Sequence, residues 1–136
     1  MTRRSLWLAV FLSWAAQAAP SNSPSFASEA EAIAAGAQRL TTEEARALYL
    51  GHLVAGSHAD GSTFRTPISA DGHIAANGRR GAGQVTFEDG GRVCMQFADL
   101  WHGLPRCWTE YRLDGRYFDF EADGSPGAEL RFEALE

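Results

Sequence analysis

No lysine occurs anywhere in this chain of 136 residues. That absence excludes the mechanisms that need one: a Schiff base, a P-loop lysine over phosphates, an S-x-x-K nucleophile. Cysteine is almost as scarce, with Cys94 and Cys107 the only two, so neither the C-x-x-C spacing of a redox pair nor a cysteine-rich metal set can be assembled. There is no G-x-S-x-G and no spare cysteine to pair with a histidine, which leaves nucleophilic catalysis without support. Long apolar runs are missing too: the longest, Leu6 to Ala16, is too short for a bilayer core of roughly 30 Å.

What is present at the start is an export signal. Arg3 and Arg4 form a short basic region before that apolar run, and Ala16-Gln17-Ala18 offers an A-x-A cleavage site, so residues 1–18 are expected to be removed. With Arg3 and Arg4 gone, ten arginines face seventeen acidic residues, a formal charge of −7, which argues against nucleic acid as a partner. A periplasmic or secreted location follows from the signal, and in such a compartment two cysteines are expected to oxidise.

Residues 19–39 are rich in Ala, Ser and Pro and read as a flexible tether, with Ser28 and Glu31 as a possible cap for a short helix near 29–35. Residues 40–136 read as one domain. Thr41 or Thr42 caps a helix with Ala45, Leu48 and Tyr49 on its apolar face, ended by Gly51. After it come five Asp-Gly pairs and Asn77-Gly78, signals for tight hairpin turns. They separate eight expected strands near 52–57, 62–69, 73–76, 82–88, 91–98, 105–113, 116–122 and 128–135. The fold class is therefore all-β with one short N-terminal helix: an eight-stranded antiparallel meander, closed as an up-and-down barrel, or folded over as a β-sandwich in the alternative.

The most specific stretch runs from Val93 to Trp108. A hairpin symmetric about its tip sets Cys94 opposite Cys107, within the roughly 4.4–6.8 Å that a disulfide needs. Extending the register through Asp114-Gly115 pairs Tyr111 with Phe118 and Thr109 with Phe120. Trp108, Glu110, Arg112 and Asp119 then share the opposite face with Val93, Met95 and Phe97, so both faces of this region are partly apolar. A bulge, or a ligand or partner covering the second face, would resolve that conflict.

Candidate binding residues follow from position. Trp101 and His102 lie at the tip of the cysteine loop, where a rigid barrel gathers binding groups, although Leu100 and Trp101 could equally fold back to plug the barrel mouth. Trp108 lies at the base of the same hairpin. Arg79 and Arg80 stand in a Gly-rich turn able to hold an anion, with a solvated turn as the plainer reading. His58, Asp60 and His73, with Asp71 nearby, have the chemistry of a zinc site and would make a metal-assisted hydrolase, but turn formation already accounts for both aspartates. Glu110 and Asp119 fall opposite one another, as an acid/base pair or, more plainly, as partners of Arg92 or Arg112.

From Leu40 to about Glu121 the order of features resembles an uncharacterised family of small exported one-disulfide β-domain proteins of Gram-negative, especially alphaproteobacterial, type. The pieces are Leu40-Thr41-Thr42-Glu43-Glu44, Gly51 with Gly56, Asp71-Gly72, Gly83-Gln84-Val85, and Cys94 with Cys107-Trp108. Val85 stands where that pattern has Trp. The resemblance implies the compartment and the fold, and it carries no activity. The expectation is thus a binding or interaction module for a small apolar ligand or an envelope protein, with no cofactor and no assigned catalytic residue.

Overall fold

The structure, a computed structural model, describes residues 25–135; the expected export signal at 1–18 and the first part of the 19–39 segment lie outside them. The fold is mostly antiparallel β, with nine strands in a nearly closed, barrel-like sheet and two helices. In chain order these are α1 (Glu29–Ala34), β1 (Gln38–Arg39), α2 (Thr42–Tyr49), β2 (His52–His58), β3 (Thr63–Pro67), β4 (His73–Ile74), β5 (Gly83–Glu88), β6 (Arg92–Phe97), a 3-10 turn at Trp101–Gly103, β7 (Arg106–Leu113), β8 (Arg116–Phe120) and β9 (Pro126–Ala134).

The sheet order is β3-β2-β9-β8-β7-β6-β5-β4. Each neighbour is thus a neighbour in sequence, except that β2 pairs with β9 along its length, from His52↔Ala134 to His58↔Ala128. First and last meander strands therefore close the barrel, and a sandwich is excluded. The remaining seam lies between β3 and β4, where the turn Ser69–Gly72 crosses and Ile68 N–H donates to His52 O at 3.0 Å.

Turn chemistry sets the register. Asp114 and Gly115 both have positive φ, 51° and 74°, the backbone of a two-residue type I′ turn. That turn places Tyr111 opposite Phe118 and Thr109 opposite Phe120. Cys94 lies directly opposite Cys107, and the two form a disulfide. The ninth strand, unforeseen from sequence, has a simple cause. β6 stops pairing with β7 at Arg92↔Thr109, and Gln38–Arg39 take up the free edge at Arg112 and Tyr111.

The double-sided apolar pattern of β7 and β8 is resolved by two cores. Inside the barrel, Leu40, Tyr49, Val54, Ile68, Ile74, Val85, Val93, Phe97 and Leu130 form the main core. Outside, Phe26 and Ala32 cover Tyr111, Phe118 and Phe120, with the Phe26 and Phe118 rings 5.1 Å apart edge to face. The described part of the segment expected to be a tether is therefore attached to the sheet. Its helix α1 is capped by Ser28, whose hydroxyl accepts from Glu31 N–H. Helix α2 carries a complete capping box between Thr41 and Glu44, and its Ala45 and Tyr49 close one end of the barrel. No helix among the described residues is long and apolar enough to cross a membrane.

Candidate functional site

With α2 filling one end, the opposite end opens into a lumen of about 310 Å³. Its walls alternate as the strands do. β6 contributes Met95 and Phe97, β7 contributes Arg106 and Trp108, β9 contributes Leu130, and β2 and β3 contribute Val54, His58, Phe64 and Thr66. The loop after β6 contributes Leu100 and Trp101. Tyr49 from α2 and Asp119 from β8 also line it.

Trp101 is half-buried and packs edge-on to Phe97 and Trp108, with centroids 5.6 and 5.7 Å away. The fold-back of Leu100 and Trp101 is thus what the chain does, although the lumen behind them stays open. Trp101 and His102 both sit at positive φ, 56° and 57°; this sharp turn swings Trp101 inward and leaves His102 exposed on the rim. Arg106 stacks over the rings of Trp101 and Trp108 at 5.4 and 5.5 Å and pairs with Glu121 at 2.8 Å.

The two arginines of the Gly-rich turn part company. Arg79 is exposed, whereas Arg80 turns into the lumen, stacks 4.7 Å over Phe97 and donates to Ala75 O at 3.1 Å. Its Nε is buried without a hydrogen-bond partner. His58, Asp60 and His73 are not brought together as a metal set. Asp60 accepts from Ser62 N–H and Oγ, and Asp71 accepts from Ser69 Oγ and His73 N–H, as turn aspartates do. Among the described residues the one cluster with metal-ligand spacing is Glu88, Cys94 and Cys107, and the disulfide consumes both of its thiols.

The salt bridges expected for Glu110 and Asp119 do not form. Arg92 pairs with Glu88 and Arg112 with Glu44, because both arginines are exposed enough to find surface partners. Instead the two carboxyls face one another across β7 and β8, buried to 0% and 7% exposure. Tyr49 donates its hydroxyl to Glu110 Oε1 at 2.5 Å, while Glu110 Oε2 is buried without a partner among the described residues. Desolvation, reinforced by Asp119, pushes the Glu110 carboxyl well above the usual range. Asp119 is pushed up to about 7, mainly by burial.

Asp119 owes its position to a bulge. Between Phe118↔Glu129 and Phe120↔Pro126 the β8–β9 register slips, and the freed Ala128 N–H donates to Asp119 Oδ1 at 2.6 Å. Gly127 makes room for this, since any Cβ there would collide with the Asp119 carboxyl. On the outer side of the same bulge a second cavity of about 470 Å³ lies between Phe26 and β9, and Asp119 and His58 border both spaces.

Sequence reasoning found the facing of Glu110 and Asp119 but missed Tyr49, which its helical period marked only as apolar. A phenol that donates from a capping helix into a barrel leaves no periodic signal. Comparison with family models, with curated proteins and with solved structures found no match.

Proposed function

We propose that this protein is an exported binding module that holds one small, largely apolar ligand in the barrel lumen. The observation that carries the reading is the lumen itself: about 310 Å³, at the lower end of the roughly 300–1,000 Å³ typical of ligand pockets. It is walled by Phe64, Met95, Phe97, Leu100, Trp101, Trp108 and Leu130, with a few polar groups converging on it. Small barrels either fill with side chains or keep space for one small molecule, and this one keeps space. An oxidising compartment, periplasmic or extracellular, is supported by the disulfide and by the signal-like residues 1–18. Kinship with the exported one-disulfide family remains part of the proposal.

The test is a neutral apolar fluorophore, N-phenyl-1-naphthylamine, titrated into the oxidised protein. Saturable binding of one probe per chain is expected, with transfer of excitation from Trp101 and Trp108. Met95→Trp, which places a larger ring in the lumen, should block the probe while leaving the thermal unfolding transition intact. Binding that is equal in Met95→Trp and wild type would refute the lumen as the site and turn attention to the surface and an envelope-protein partner.

A further inference from the structure

An apolar ligand gives no reason to set a buried carboxyl, Asp119, in the wall of a lumen with a second carboxyl, Glu110, buried opposite it on β7. Burying such groups is costly unless something repays it, and the described protein repays it only in part. Tyr49 serves one oxygen of Glu110 and Ala128 N–H serves one oxygen of Asp119. The second oxygen of Glu110 has no partner among the described residues; Glu110 lies two residues from Trp108 on β7, beside the cavity lining but not part of it. Neither lumen arginine answers them: Arg106 pairs with Glu121, and Arg80 is engaged by Ala75 O and the face of Phe97.

We propose, taking the lumen as the binding site, that the ligand carries a protonated amine on a short apolar body, the ammonium donating to Asp119 in the lumen wall, next to the buried Glu110 on β7, and the body lying against Phe97, Trp101 and Trp108. An ammonium supplies a charged donor to the Asp119 carboxyl, and charge-assisted bonds of this kind are the strong ones. The walls agree with that polarity. The faces of Phe97, Trp101 and Trp108 already hold guanidinium groups at 4.7, 5.4 and 5.5 Å, so the aromatic quadrupoles in this lumen attract cations. With Arg106 neutralised by Glu121, one cation, Arg80, is set against two carboxyls. An anionic or neutral ligand would keep both of them protonated, whereas an ammonium gains a counter-ion when one of them ionises.

Binding also moves a proton. The groups facing the pair are Tyr49 from α2, His58 from β2, Arg106 from β7 and Glu121 just after β8. In the empty lumen burial favours protonated carboxyls. When the ammonium arrives, a carboxyl releases its proton to solvent and becomes the counter-ion, so total charge is conserved.

The experiment uses three matched ligands, 3-phenylpropylamine, 3-phenylpropanol and 3-phenylpropionate, titrated calorimetrically into wild type, Asp119→Asn and Glu110→Gln near pH 6. Both variants keep the oxygen that accepts from Ala128 or Tyr49, and thermal unfolding checks that each is folded. The expected result is that wild type binds the amine about tenfold or more tighter than the alcohol, as a charged hydrogen bond implies. Proton release should be visible as a dependence of heat on buffer, and the amine's advantage should vanish in Asp119→Asn and shrink in Glu110→Gln while alcohol affinity holds. Equal affinity for amine and alcohol would overturn the amine proposal and leave the lumen reading standing. Tightest binding of the carboxylate would overturn it in favour of Arg80 as the anchor. Failure of all three ligands would overturn both this proposal and the lumen reading on which it rests.

Discussion

Glu110 is wholly buried, and Tyr49 is the partner its carboxyl has among the described residues. Removing that hydroxyl with Tyr49→Phe strands both carboxyl oxygens and is expected to cost about 1–3 kcal/mol in urea unfolding. A loss within experimental error would mean that water serves Glu110. The same residues give stability a pH dependence of definite sign. Burial raises both carboxyls in the folded protein, so the native state holds protons that the unfolded chain has released. Stability is full below their ordinary values and falls as pH rises, for Asp119 between 3.8 and about 7. Across that window the Asp119 contribution is on the order of 4 kcal/mol at most. Unfolding measured from about pH 4 to 8 should therefore show a downward slope that Asp119→Asn reduces and that Asp119→Asn combined with Glu110→Gln removes, and a flat wild-type profile would contradict the burial of the pair.

At the scale of elements, the cysteine hairpin and the N-terminal segment do different work. The Cys94–Cys107 bridge ties β6 to β7 where those strands frame the lumen mouth. Replacing both cysteines by alanine is expected to lower stability by about 2–4 kcal/mol with the β spectrum retained; an unchanged unfolding midpoint on reduction would show the bridge to be idle. The segment from Ser25 to Arg39 works as a cover. Phe26→Ala uncovers Phe118 and Phe120 and is expected to cost about 2–4 kcal/mol, whereas a free tether would lose nothing. That contrast shows where the sequence was legible. The Asp-Gly turns carried the strands and the register of Tyr111, and hairpin symmetry that of Cys94, because turn geometry and a two-residue period act locally. The cover was illegible because Phe26 is a single apolar residue among Ser, Ala and Pro, and its partners are some ninety residues away.

For the whole molecule, the same logic separates the barrel from its site. Closure of β2 on β9 follows from the need of a long meander to hide its edges, so the architecture was readable before any coordinates. The site was only half readable. Alternation placed Trp108, Glu110 and Asp119 on one face, yet the choice of the inner face for these residues depends on Phe26 and Ala32 occupying the outer one. The zinc reading of His58, Asp60 and His73 had no such support from register, and the turns took their aspartates. What emerges is a barrel plugged at one end by α2, open at the other between Trp101, Arg106 and His58, with Asp119 and the Tyr49 phenol in the lining and Glu110 buried next to them.

Native mass spectrometry of the oxidised protein, extracted from the periplasm of an expressing cell without refolding, tests the binding role most directly. The account predicts a discrete added mass of a small organic molecule, lost on unfolding and absent from Met95→Trp. A bare mass for wild type, together with no uptake of added probe, would contradict it and assign the protein's work to its outer surface.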